Sequence, residues 1–210
     1  MQRDSKRQTS RVAALAEKLY FNLSYRFGFA EWDINAAQPD LIRLVDKGLL
    51  KGKTILDIGC GSGDNAIYLA SKGFKVTGLD YSKTGIEEAK KRSKRKQFDI
   101  HFRVHDAFRL TDLNQQFDII LDYGLYHNIK PQDLAAYVKN LGSVTRKGGQ
   151  LILQCFSCKS EPRNFGPRQI SEQEIENSFS KGWKLQQFIE AQYITPKAKI
   201  PSIIAIINKD

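Results

Sequence analysis

Residues 54–64 read Thr54-Ile55-Leu56-Asp57-Ile58-Gly59-Cys60-Gly61-Ser62-Gly63-Asp64. A short apolar run ends in three glycines spaced by two, and helical periodicity begins directly after them. That pattern predicts a strand, a tight turn and a helix start. Glycine admits positive φ and carries no side chain to hold a ligand off the backbone. A helix start adds unsatisfied N–H groups and the positive end of the helix dipole. The stretch therefore builds a cradle for a small ligand. Its spacing narrows the choice. A dinucleotide fingerprint, G-x-G-x-x-G/A, needs a small third residue for close helix packing; counted from Gly59, that place holds Asp64. A phosphate-binding loop ends in Gly-Lys-Ser/Thr, and no such ending follows these glycines. What is left is D-x-G-x-G-x-G, headed by Asp57.

This arrangement resembles motif I of the class I S-adenosylmethionine (SAM) methyltransferases, and its companions fit. Lys75-Val76-Thr77-Gly78-Leu79 reads as a second strand, closed by Asp80, 17 residues after Gly63. An acidic residue at that tip can accept both ribose hydroxyl hydrogens. A third strand, Ile100–Val104, precedes Asp106-Ala107-Phe108, where the resemblance implies contact with the adenine. A fourth, Phe117–Leu121, runs into Asp122-Tyr123-Gly124-Leu125-Tyr126-His127, where the resembling family transfers the methyl group. Open α/β sheets bind ligands at the carboxyl ends of their strands, so four polar strand ends suit one ligand. The resemblance implies SAM as cofactor and S-adenosylhomocysteine (SAH) as product. The residues it implies for holding them are Asp57, Gly59, Cys60, Gly61, Gly63, Asp64, Asn65, Asp80, Tyr81, Ser82, Asp106, Ala107, Phe108 and Asp122.

Outward from this centre, Val12, Leu15, Ala16 and Leu19 recur at helical spacing and predict a helix over 9–22. Tyr25 to Trp32 is aromatic-rich and reads as irregular. Pro39 opens a helix that stops near Gly48. Strands are then expected near 53–58, 75–79, 99–104, 117–121 and 149–155, with helices near 64–72, 83–96 and 131–142. Ser171-Glu172-Gln173-Glu174 is a capping box for a last helix. Trp183–Ile189 and Ile203–Ile207 close the chain as two strands. Alternating elements predict an α/β fold, a parallel sheet with helices on both faces. The closing strands have no helix between them, so they should run antiparallel. This matches the Rossmann-like class I methyltransferase sheet: seven strands, order 3-2-1-4-5-7-6, strand 7 antiparallel. One methyltransferase domain is expected over 1–210, with a helical cap over 1–50 and a SAM-binding core over 51–210.

Apolar residues make up 41% and charged ones 27%, as in a globular protein with a sizeable core. No apolar run reaches the ~18 residues of a membrane span, and the start of the chain lacks a secretory h-region. The expectation is a cytoplasmic protein without a membrane partner. Cys155 and Cys158 form C-x-x-C, but no second pair supplies the four ligands of a structural zinc site; no metal is expected. Net charge is +10, and much of the excess falls in Lys90–Lys96. That run reads either as the solvated end of a helix or as a footprint for nucleic acid, the second supported by Arg3, Lys6, Arg7 and Arg11.

Asn65–Ala70, Gly73–Ser82 and Gly166-Pro167-Arg168-Gln169-Ile170-Ser171 resemble the small-molecule branch of the family, the thiopurine, halide/thiol and tellurite-resistance methyltransferases. Trp32 resembles that branch's N-terminal Trp near the cofactor; it reads equally as a packing anchor. The Asn/Asp-Pro-Pro-Tyr/Phe loop of amino-group methylation is missing from Asp122-Tyr123-Gly124-Leu125. The partner expected is therefore a small-molecule acceptor bearing a thiol, halide, oxygen or nitrogen nucleophile. RNA methylation and SAM binding without transfer are the alternatives. A soft anion such as a thiolate needs no general base, whereas a neutral oxygen or nitrogen nucleophile can need one. His127 is the candidate base, or a packing histidine, and Tyr123 and Tyr126 could shape the pocket.

Overall fold

The computed structural model describes residue 16, residues 18–159 and residues 166–210. Positions 9–15 and 17 of the first expected helix, and the basic residues Arg3 to Arg11, lie outside the described residues. The strands are β1 (Thr54–Ile58), β2 (Lys75–Asp80), β3 (His101–Val104), β4 (Phe117–Tyr123), β5 (Thr145–Phe156), β6 (Trp183–Ile194) and β7 (Lys199–Lys209). They form one sheet, ordered β3-β2-β1-β4-β5-β7-β6. β1 to β5 pair in parallel, and β7 runs antiparallel to both β5 and β6. The expected fold class is the observed one.

Side chains alternate across a strand, so each strand feeds two cores. Leu56 and Ile58 face one layer with Tyr137, Leu141 and Ile175. Ile55 faces the other, with Leu41, Leu44, Ala66 and Ala89. The first layer is closed by α5 (Leu134–Val144) and α6 (Glu172–Ser178), the second by α2 (Pro39–Asp46), α3 (Asp64–Ser71) and α4 (Lys83–Arg95). A further helix, α1, covers 18–27.

Four expectations change in detail. The aromatic stretch after Tyr25 is helical through residue 27 rather than irregular. Pro131 opens a single 3-10 turn, Pro131–Asp133, and α5 starts after it. β5 starts at Thr145 rather than near 149, and Gly148-Gly149 falls in an irregularity within it. The β4–β5 register jumps between Phe117 and Ile119 there, and a Cβ on Gly149 would press on two carbonyl oxygens at 2.9 Å. β6 and β7 run past their expected ends, since Pro201 sits inside β7 and still accepts from the Ser157 N–H at 3.0 Å.

The core also sets the height of the glycine loop. Phe102 of β3 lies beneath Gly63 and Gly78; a Cβ on Gly63 would come 2.8 Å from its ring and 2.9 Å from Ala89. Gly63 has φ +83°, whereas Gly73, at φ +87°, has nothing within 4 Å. We therefore expect Gly63→Ala to cost about 2–4 kcal/mol, backbone strain plus overpacking. Gly73→Ala should cost only about 1 kcal/mol. Urea unfolding of the two variants checks this; equal losses would mean that Phe102 does not hold the loop.

Candidate active site

The glycine loop is fastened at both ends. The Gly59 and Cys60 N–H groups donate to the Leu79 carbonyl at 2.7 and 2.9 Å. Asp80, at the tip of β2, accepts from the Gly61 N–H at 2.9 Å and from the Ser82 N–H at 2.7 Å. Gly59, Gly61 and Gly63 all take positive φ, 70°, 52° and 83°. Burial pushes the Asp80 carboxyl up to about 6, against those two N–H donors. Asp57 lies at the foot of the loop, 2% exposed. Its Oδ2 has no hydrogen-bond partner among the described residues. Burial, then the charges of Asp80 and Asp122, push it up to about 8. A buried carboxyl oxygen without a donor is expensive unless a ligand supplies one.

Helix α1 crosses this site. Asn22 Oδ1 accepts from Ser82 Oγ and the Thr84 N–H, both at 3.1 Å. Tyr25 lies over the loop: its hydroxyl fills the space a Gly61 side chain would need. Trp32 Nε1 donates to that hydroxyl at 2.7 Å, and Phe21 packs at 4.9 Å from Trp32 and 5.5 Å from Tyr81. Burial, then Asp80, raises the Tyr25 phenol well above its ordinary value. Neither Asn22 nor Tyr25 stood out in the sequence. Their spacing of three, on one face of a helix that extends past residue 22, was the signal.

The other expected residues divide. Tyr81 and Ser82 follow Asp80, and Ser82 caps α4 by accepting from the Gly85 N–H at 3.1 Å. Cys60 is a free thiol, its pKa raised by burial and then by Asp57. Asn65 Oδ1 accepts from the Gln38 N–H at 2.9 Å, fastening the start of α2. Past β3, Asp106 accepts from the Phe108 N–H at 2.8 Å; Ala107 is half-buried and Phe108 is exposed, its ring 5.9 Å from Tyr137. Asp122 spends both oxygens inside the protein, on the Leu125 and Tyr126 N–H groups at 2.8 and 3.1 Å and on Tyr137 Oη at 2.7 Å. Burial still raises it to about 6.

Tyr126 packs in the core beneath α6, its hydroxyl 2.8 Å from Ser178 Oγ and its ring 6.2 Å from Phe179. Tyr123 is buried toward the α2 layer. Burial raises both phenols. His127 is buried, and its Nδ1 accepts from the Phe156 N–H at 3.1 Å. The neutral ring therefore carries its hydrogen on Nε2. His127 lies 4.3 Å from the Phe156 ring and 6.4 Å from Tyr193. Trp32 packs against Phe156, Tyr193 and Ile200, and Tyr193 lies over Gly124. This aromatic wall joins residues far apart in sequence, and Tyr193 could not be placed without the β6 register.

The basic run is not a uniformly solvated helix end. Lys91 and Arg95 pair with Glu88, and the Arg92 side chain is 14% exposed, paired with Asp33, Asp64 and Glu88. Among the described residues, no group of three or more His, Cys, Asp or Glu could hold a metal ion, and no helix is long and apolar enough to cross a membrane.

A family model described as a methyltransferase domain matches residues 55–149. A 2-heptyl-1-hydroxyquinolin-4(1H)-one methyltransferase of Mycobacteroides abscessus is 29% identical over 163 residues, covering 77% of this chain and 71% of that protein. An uncharacterized methyltransferase of Schizosaccharomyces pombe is 32% identical over 122 residues, covering 58% of this chain and 83% of that protein. The crystal structure of Burkholderia thailandensis 1,6-didemethyltoxoflavin-N1-methyltransferase, with bound 1,6-didemethyltoxoflavin and SAH, has a TM-score of 0.75 at 20% identity, covering 95% of this chain and 89% of that one.

The buried carboxyls make stability depend on pH. Asp57 titrates at about 8 in the fold against an ordinary 3.8. Between those values the native state holds a proton that the unfolded chain has lost, so stability falls as pH rises. One proton corresponds to about 1.4 kcal/mol per pH unit. Asp80 and Asp122, both near 6, add to the slope below that pH. Between pH 6.5 and 8 the ligand-free protein should therefore lose stability, and Asp57→Asn should flatten the decline. Denaturation midpoints across that range test it; a variant with the wild-type slope would place the titrating group elsewhere.

Proposed function

We propose, on the premise that this chain belongs to the SAM-dependent class I methyltransferase family, that it binds SAM at the carboxyl ends of β1 to β4 and methylates a small, planar aromatic acceptor. The observation that carries the cofactor half is the orphaned, buried Oδ2 of Asp57. The cofactor is cationic at its α-ammonium and its sulfonium, and an ammonium meeting Asp57 supplies the missing donor and favours the ionised carboxyl. Asp80 fits the ribose, because two backbone donors leave carboxylate lone pairs for two hydroxyls. In this reading Asp106 and Phe108 flank the adenine.

Bound SAM supplies a methyl group already activated by the sulfonium. The chain has to align the acceptor and keep water out. Tyr25, Phe21 and Trp32 cover the cleft, and Trp32, Phe156 and Tyr193 form an aromatic cluster beside the end of β4, with Phe156 and Tyr193 packed edge to face at 74°. An aromatic acceptor suits such surroundings through edge or face contacts. The quinolone relative and the toxoflavin methyltransferase, by their names, act on fused heterocycles. Proton removal is not assigned to the protein. Burial holds Tyr123 and Tyr126 neutral. A second proton on His127 would have to displace the Phe156 N–H from Nδ1. The acceptor therefore reacts as its own anion or lone pair, which suits hydroxyl, thiol or ring-nitrogen groups that ionise near neutrality.

Tritiated methyl transfer from SAM onto N-hydroxy, phenolic, thiol and ring-nitrogen heterocycles, with halide and total RNA alongside, is the direct test. Label should enter a heterocycle with a rate that follows the acceptor's own ionisation, and His127→Asn should keep that pH profile. Asp80→Ala should weaken SAM binding by about 1.5–3 kcal/mol. Label in RNA alone would sink the small-molecule reading, and SAM binding without any transfer would leave a binding protein.

A further inference from the structure

Arg92 lies where the two walls of the cleft meet. Its guanidinium grips Asp33 with two parallel bonds, NH1 to Oδ1 at 3.0 Å and NH2 to Oδ2 at 2.8 Å. The same NH1 reaches Ser62 Oγ at 3.1 Å and pairs with Asp64. Nε donates to Glu88 at 3.1 Å, one helical turn back, which fixes the direction of the fork. Asp33 follows Trp32, the residue whose indole donates to Tyr25 over Gly61. Ser62 and Asp64 flank Gly63 within the loop. One cation thus joins the segment that covers the cleft to the segment that cradles the ligand.

The geometry is specific rather than a loose surface pairing. The side chains of Arg92, Asp33 and Asp64 are only 14%, 12% and 11% exposed. The carboxylates are not equivalent. Burial works against Asp33, but the Arg92 bonds outweigh it and hold its pKa below the ordinary value. Asp64 receives no such two-point grip, and burial raises its pKa despite Arg92. A planar fork suits this bidentate contact, and a lysine ammonium cannot reproduce it.

We infer that Arg92 is a positioning residue, a clasp that seats Trp32 and Tyr25 over the glycine loop and so makes covering of the cleft and cofactor binding one coupled event. The inference rests on SAM and SAH occupying the loop. Shifting Asp33 away from Arg92 would release the covering segment while Asp64 and Glu88 still hold the guanidinium. Loss of Arg92 itself would free both walls at once and leave buried carboxylates without their cation.

The test titrates SAH into wild type, Asp33→Asn, Arg92→Lys, Arg92→Gln and the Asp33→Asn/Arg92→Gln double variant, by calorimetry and by tryptophan emission. Lys91→Gln and Arg95→Gln are controls that keep wild-type affinity. Asp33→Asn and Arg92→Gln should each weaken SAH roughly tenfold, Arg92→Lys should not rescue, and the double variant should be no worse than the weaker single. The emission change on SAH addition should shrink in step, because Trp32 is no longer seated. Should Arg92→Gln not fold, Asp33→Asn and Arg92→Lys carry the comparison. Wild-type SAH affinity and emission change in Asp33→Asn would overturn the clasp alone. No SAH binding by wild type would overturn the cofactor assignment on which it rests.

Discussion

Asp80 holds the glycine loop against β2, and the rest of the site depends on that contact. Three glycines at positive φ leave the loop few side chains to anchor it, chiefly Ser62, whose Oγ meets Arg92. Two backbone N–H groups, from Gly61 and Ser82, converge on one buried carboxylate. The same contact aligns the starts of α3 and α4, whose first turns face the cleft. Burial raises the carboxyl of Asp80 and the donors lower it, so the group sits near the midpoint of its titration at mildly acid pH. In the proposed reading, ribose hydroxyls donate to the lone pairs that these two N–H groups leave on Asp80.

Charge explains the second layer of organisation. Asp57, Asp80 and Asp122 stand close enough to raise one another or their neighbours, yet only Asp57 keeps an oxygen without a donor among the described residues. Asp122 is satisfied by its own strand end and by Tyr137, so its work is to fix the turn after β4. The site is thus negative at its foot, aromatic at its side and covered by α1. Arg92, the member of the basic run that reaches the glycine loop, is spent on carboxylates.

The sheet and the loop were legible in the sequence because period and spacing are local signals. The D-x-G-x-G-x-G run, the acid at each strand end and the absence of a helix between the last two strands all survive in the structure. What was not legible depends on contacts far apart in the chain. The path of α1 over Gly61 rests on Tyr25, whose hydroxyl is placed by Trp32 and by the opening in a glycine. Arg92 looked like one member of a basic run, and only the meeting of Asp33 and Asp64 distinguishes it from Lys91. His127 read equally as a candidate base and as a packing histidine, and its Nδ1 contact with the Phe156 N–H, 29 residues on, had no signal in the sequence. Tyr193 entered through a strand register four residues beyond the expected end of β6 at Ile189.

The central claim is that one ligand joins the glycine loop, Asp57, Asp80 and the covering helix. A crystal structure of the protein grown with SAH tests it most directly. The account predicts the ribose hydroxyls on Asp80, the α-ammonium on Asp57 Oδ2, and Tyr25 and Trp32 still seated beside the loop with Arg92 on Asp33. SAH bound elsewhere, or bound with Asp57 still unpartnered, or with Tyr25 and Trp32 swung away from the loop, would contradict it.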